Sequence, residues 1–595
     1  MNQTRSQVWN LDTIFSGGSN SPAFNEFLQQ VEQDIVSFME LVHKPSEAVF
    51  RADDFDKAVT LMQSLTNRLR EAGSFVECLT AQNQKDKKAV QLTGKFRGIH
   101  ARFLSSLTYF DLMLTQIPDD NWNALLKSED YRNLEFNLNE RRHLASEKMA
   151  PELEALANDL AVDGYHGWGA LYETTVSQIQ ISYEDQGESR MLSAGQAFNK
   201  LHSADRQVRE EMSAKWEAEW ERKEDFCADA LNHLGGFRLQ LYKGRRWDAV
   251  LKEPLAINRM SENTLSAMWD AINRKSQTFL DFLQRKAQLL GLERLNWHDV
   301  DAPLGKASKE YSYDEAAEII VEQFRKFSPK MADFAHRAFE EQWIEVEDRP
   351  GKGPGGFCTS FPFSKQTRIF MTFSGTASNV STLAHELGHA YHQYIMEDMP
   401  ALAQDYAMNV AETASTFAEL IVSDAAVKQA ENDEEKLTLL EDKIQRSIAF
   451  FLNIQARFLF ETRFYEKRKE GLVSAVELSE LMVQAQKDAY HNVLGEYHPH
   501  FWASKMHFYI TEVPFYNFPY TFGYLFSFGI FARALKEGTD FEDKYISLLQ
   551  DTGRMTVEEL AHKHLNVDLT QPDFWNEAVG LCVQDVEAFL DMTAS

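Results

Sequence analysis

The segment STLAHELGHAYHQY, residues 381–394, sets His385 and His389 four residues apart, with Glu386 directly after the first. Four residues is about one turn of an α-helix, so both imidazoles fall on one face and can reach a single ion. Glu386 lies roughly 100° further round, close to such an ion but not aimed to bind it, and is free to take a proton from a water held there. In an extended or irregular chain this arrangement disperses, so the segment demands a helix. Ser378 or Asn379 is placed to cap its start, and Pro400 follows its end. The spacing alone also suits two packing histidines and a surface glutamate. The flanking Leu383, Leu387 and Ala390 argue otherwise, because they bury the pair, and buried imidazoles need partners that a metal supplies.

A catalytic zinc takes three protein ligands and keeps one position open, so a second element must return with a third donor. DYAMNVAETASTFAELIVSDAA carries Glu412, 23 residues after His389, and Glu419 two turns further on. That distance lets the first helix end and a second run back beside it. No HxxGxxH continuation follows HELGH, which argues against zinc proteases with a third histidine. A glutamate is therefore the expected third ligand, with Glu412 favoured and Glu419 placed to orient a ligand imidazole through its other ring nitrogen. Zinc suits this imidazole and carboxylate set, and it lowers the pKa of a bound water to about 7.

The rest of the chain reads as helix. In SPAFNEFLQQVEQDIVSFMELV, Phe24, Phe27, Leu28, Val31, Ile35, Phe38 and Val42 recur at threes and fours behind a Ser21 cap and Pro22. FDKAVTLMQSLTNRLREAG, APELEALANDLAVDG and SENTLSAMWDAINRKSQTFLDFLQRKAQLLG repeat the pattern, the last two closing on glycine. Strand signals are few: Ile179, Ile181 and Tyr183 alternate before a turn at Gly187, and Ile369, Met371 and Phe373 alternate just ahead of the histidine helix. The glycine-rich stretch 348–362, DRPGKGPGGFCTSFP, lacks the GK[ST] ending of a phosphate cradle and reads as a mobile loop beside a cleft. The hairpin sets a boundary between an N-terminal helical lobe, residues 1–190, and a metallopeptidase domain, residues 191–595.

Composition excludes several classes. With 595 residues, 44% of them hydrophobic, the chain builds a large core, and its net charge of −29 argues against nucleic-acid phosphates. The N-terminus has no apolar run of a secretory signal, and no stretch of about 18 apolar residues predicts a membrane span. The four cysteines form no CxxC, so neither a disulfide framework nor a thiolate zinc site is expected, and the expected location is the cytoplasm.

TLAHELGHAYH followed by VAETAST resembles the oligoendopeptidase F family, relatives of thimet oligopeptidase. WNLDTIF near the start, PGKGPGGFC, and HFYITEVPFYNFPYTFGYLFS at residues 507–527 agree, so the resemblance spans most of the chain. It implies a mainly α fold: a gluzincin-type metallopeptidase core with a helical N-terminal lobe enclosing a deep substrate channel. It further implies one zinc ion and hydrolysis of internal bonds in short unstructured peptides by a metal-activated water. His385, His389 and Glu412 become the ligands, and Glu386 the general base.

Attack on a peptide carbonyl creates an oxyanion, which a second donor steadies. The segment 507–527 offers His507, Tyr516, Tyr520 and Tyr524. By resemblance Tyr524, in GYLFS, matches best as a transition-state donor beside His507, with Tyr516 and Tyr520 as substrate-binding candidates. The spacing from His507 to Tyr524 is longer than in thimet-type enzymes, which unsettles the register of Tyr520. A substrate peptide is expected to add its backbone to the strand TRIFMTFSG. Two other readings compete: a helical peptide-binding protein with a structural metal, which lacks a fourth ligand, and a zinc aminopeptidase, which would need a GxMEN-like element that is absent. His498 and His500 in EYHPHFW and His392 are assigned to packing or support.

Overall fold

The computed structural model describes residues 4–43, 51–185, 187–305, 309–353 and 355–594. These residues form 24 α-helices and five short strands in two small sheets, so the protein is mainly helical. None of the helices is long and apolar enough to cross a membrane. The elements gather into two compact units, each assembled from three stretches of chain. One holds residues 1–148, 309–425 and 533–566; the other holds 149–308, 426–532 and 567–595. The expected hairpin is present, strand β1 (Ile181–Asp185) pairing with β2 (Glu188–Leu192), with Gly187 in the left-handed region at φ 86°. It lies inside the second unit, not at a boundary, because β1 packs on the helix Arg206–Glu221 of that unit and buries Ile179 and Ile181.

In the first unit α1 (Pro22–Val42), α2 (Ala52–Gln82) and α3 (Lys87–Gln116) pack side by side. The Ser21 hydroxyl accepts the Phe24 N–H at 3.2 Å, and Pro22 opens α1 where no amide is needed. Phe24, Leu28, Val31, Ile35 and Phe38 bury one stripe into a core that also takes Phe361 and Phe370 from the sheet.

That sheet has the order β3 (Ile344–Glu345), β5 (Gln366–Phe370), β4 (Phe357–Phe361), with β5 parallel to β3 and antiparallel to β4. The expectation that β5 offers an edge is corrected here: it is paired on both sides. The Ile369 and Met371 N–H groups donate to Trp343 and Glu345 carbonyls of the β3 side, both at 3.0 Å. The even residues of β5 therefore face β4, whose ladder bonds run through Phe357, Thr359 and Phe361. The backbone groups of Cys358 and Ser360 turn outward. The Ser74 hydroxyl on α2 donates to the Ser360 carbonyl at 2.8 Å, which leaves the edge open around Gly356 and Cys358. The stretch read as loop thus ends in a strand, and Lys352 pins it, donating to the Met371 and Glu347 carbonyls at 2.5 and 2.9 Å.

Candidate metal centre

Helix α4 (Ala377–Ile395) follows β5 and lies against β4 and β5. Its cap is Thr376, whose hydroxyl accepts the Asn379 N–H at 3.1 Å. Ser378 and Asn379 sit inside the helix, and the Asn379 side chain instead accepts the Ser374 N–H at 2.8 Å. Helix α5 (Met408–Gln429) returns beside α4. Gly388 allows the approach, since a β-carbon there would meet the Ser415 Cα at 2.6 Å and the Ala418 Cβ at 2.8 Å. The small residues Ala414, Ser415 and Ala418 on α5 are the matching sequence signal, one that lies outside the HELGH and Glu412 motifs.

Three side chains converge from these two helices. The Glu412 Oε2 lies 3.2 Å from the His385 Nε2 and 3.5 Å from the His389 Nε2. One ligand atom from each of the three falls within 4.8 Å of the others. The His385 Nδ1 stands 3.1 Å from the Glu419 Oε2, and the Ser415 hydroxyl donates to Glu412 at 2.8 Å. A carboxylate at Glu419 accepts only, so it assigns the His385 proton to Nδ1 and turns the Nε2 lone pair toward Glu412. Lone pairs on nitrogen and a carboxylate oxygen aimed at one point repel unless a cation lies among them. The donor set fits a divalent metal, and two imidazoles with one carboxylate suit zinc.

Glu386 is 7% exposed, and its Oε2 is buried without a hydrogen-bond partner. Burial raises its pKa, a trend opposed by His385 and His389 and reinforced by Glu412. Its Oε1 lies 3.7 Å from where a β-carbon on Gly356 would stand, so the open edge of β4 begins beside it. His392 is a support residue: its Nε2 pairs with the Thr552 hydroxyl at 2.8 Å and its ring stacks on Tyr406 at 4.3 Å.

His507, Tyr516, Tyr520 and Tyr524 all belong to the second unit. The first three cluster, with ring centroids 5.3 Å apart for His507–Tyr516, 6.3 Å for His507–Tyr520 and 5.5 Å for Tyr516–Tyr520. All three are half-buried, and the His507 Nδ1 has no hydrogen-bond partner. Burial, then the charges of Arg457 and Lys505, push His507 down to about 4. Tyr524 is set apart and its expected role is corrected. Its hydroxyl lies 2.9 Å from that of Ser447 inside the core, and its ring stacks on Phe450 at 4.5 Å. A hydroxyl so engaged serves packing.

The model of peptidase family M3 matches residues 200–581, well over half of the chain. The chain belongs to that family. Like other M3 members it is a metalloendopeptidase, and a second family model, Oligopeptidase F, matches residues 114–181. Group B oligopeptidase PepB of Streptococcus agalactiae is 23% identical over 530 residues, covering 86% of each chain. Oligopeptidase PepF of Bacillus subtilis is 23% identical over 587 residues, covering 95% of this chain and 84% of the relative. The crystal structure of oligoendopeptidase F from Enterococcus faecium shares the fold, with a TM-score of 0.69 at 17% identity over 96% of this chain and 98% of that one. PZ peptidase A with an inhibitor superposes with a TM-score of 0.73 at 16% identity over the whole of both chains.

Proposed function

We propose that the protein is a zinc-dependent oligoendopeptidase that cuts internal bonds of short unstructured peptides, with Glu386 as general base. The observation that carries this reading is the convergence of His385, His389 and Glu412 on one point, with the unpartnered Glu386 carboxyl next to it. When bound there, zinc supplies a Lewis acid that polarises the scissile carbonyl and acidifies the attacking water.

The remaining work falls to the chain's own groups. An extended peptide adds antiparallel or parallel to the free edge of β4 at Gly356 and Cys358, the position next to Glu386. Glu386 takes the proton of the attacking water and returns it to the leaving amine; its raised pKa strengthens it as a base. His507, Tyr516 and Tyr520 supply the donors that steady the oxyanion, a role for which the Tyr524 hydroxyl is not free. The four cysteines are unpaired and three are buried, which suits the reducing cytoplasm as the working compartment.

Zinc content and cleavage of an internally quenched peptide, measured with and without chelator, test the proposal. Activity should vanish on chelation and return with zinc, and Glu386→Gln should keep its zinc while losing about a hundred- to ten-thousandfold in turnover. Full activity in zinc-loaded Glu386→Gln protein would refute the assignment.

A further inference from the structure

The second unit holds a cavity of about 840 Å³ whose lining residues all belong to that unit. This is the size of a small-ligand site. Its walls are aromatic, with Phe198, Trp216, Trp220, Trp297 and Phe501 among them. Lys505, which precedes the short turn Met506–Tyr509, also lines it, its ammonium 5.2 Å from the Phe198 ring centroid and 5.3 Å from that of Phe501.

The ammonium has no carboxylate or hydrogen-bond partner among the described residues. Burial, then the charge of Arg457, lowers its pKa to about 8, against an opposing pull from Asp301. His507, two residues on, lines the same cavity and keeps a buried, unpartnered Nδ1. The acids nearby are either occupied or outside. Glu217 is held by His498 and His500, Asp301 accepts from the Gln445 side chain at 2.7 Å, and Glu173, Glu210 and Glu496 are exposed at the rim. A partly desolvated cation among aromatic rings, in ion pair with no carboxylate and faced only by the exposed Asp301, calls for a ligand that is apolar and carries an anion.

We infer that this cavity takes the carboxy-terminal end of an oligopeptide, the last apolar side chain against the aromatic wall and the free carboxylate on Lys505. That the ligand is a peptide rests on the peptidase reading above. Binding is measured on the full-length Glu386→Gln protein, so no turnover intervenes, by tryptophan fluorescence and calorimetry. The probes are Ala-Ala-Ala-Ala-Ala-Phe as free acid, the same peptide as its C-terminal amide, and an Ala-Ala-Ala-Ala-Ala-Asp amide that carries only a side-chain carboxylate.

The free acid should bind about tenfold more tightly than either amide, as expected for one charge-assisted contact. Lys505→Met should erase that difference and leave the affinity of the Phe amide unchanged, whereas Lys505→Arg should keep it. Equal affinities for acid and amide, a preference that survives Lys505→Met, an Asp amide as tight as the free acid, or no binding at all would each overturn the inference. Absence of cleavage by the zinc-loaded wild type would instead overturn the peptidase reading, and this comparison would still be readable.

Discussion

Gly388 lies so close to Ala414 that a β-carbon on the glycine would stand 2.4 Å from the Ala414 carbonyl oxygen. The contact is backbone on both sides, so nothing flexible can give way. It fixes the distance between the helix that carries the histidines and the helix that carries Glu412.

Gly388→Ala should therefore act on metal binding as well as on stability. Overpacking at a rigid contact costs about 1–3 kcal/mol. The separation of α4 and α5 should also draw Glu412 away from His385 and His389. Thermal melts and zinc content after gel filtration check this; wild-type zinc occupancy in the variant would show that the glycine does not set the ligand spacing.

Glu419→Ala removes the group that orients His385 and leaves the three ligands in place. Loss of such a supporting carboxylate costs about 10- to 100-fold in metal affinity or activity. Zinc titration against a competing chelator reads it directly. A Kd within twofold of wild type would mean that His385 is held by packing alone.

Tyr524→Phe should lose the bond to Ser447, about 1 kcal/mol of stability, and change kcat by less than about threefold. At least one of Tyr516→Phe and Tyr520→Phe should lower kcat about a hundredfold with a smaller change in KM. The opposite pattern, a turnover defect confined to Tyr524, would return the donor role to that residue.

The second unit should also respond to pH through a cluster remote in sequence from HELGH. The His500 Nδ1 lies 2.8 Å from Glu217 and its Nε2 lies 2.9 Å from Glu224. Burial lowers the pKa of His500, but hydrogen bonds and charge from the two carboxylates raise it overall. Its contribution to stability is thus complete below about pH 6.5 and fades as pH rises through the raised value. Glu217 behaves in the reverse sense: burial opposes its charge, His498 and His500 hold it at about 2, and its contribution is lost only as pH falls toward that value. His500→Gln should accordingly depress Tm more at pH 6 than at pH 9, by about 1–3 °C. An equal depression at both would show that the imidazole does not change its charge between them.

The helix of HELGH and its carboxylate partner were legible because both are local patterns: i and i+4 on one helix, then Glu412 on the next helix, 23 residues after His389. Ser21 and Pro22 announced α1 for the same reason. What escaped involved partners distant in the chain. The edge of the sheet moved from β5 to β4 because β3, only two residues long, pairs with β5 across 20 residues of intervening sequence. The hydroxyl of Tyr524 found Ser447, 77 positions away, a pairing that no spacing rule encodes. Ser378 and Asn379 were plausible caps, but Thr376 was better placed once Gly375 had turned the chain at φ 83°.

The two units are interleaved, six segments in alternation along one polypeptide. During synthesis on the ribosome, α1 to α3 emerge long before the sheet and the histidine helix that complete their core, and neither unit is finished until the closing segments at 533–566 and 567–595 appear. A gene product truncated before residue 533 will therefore not yield one healthy half; it leaves both halves unclosed, with apolar faces exposed to chaperones and to aggregation.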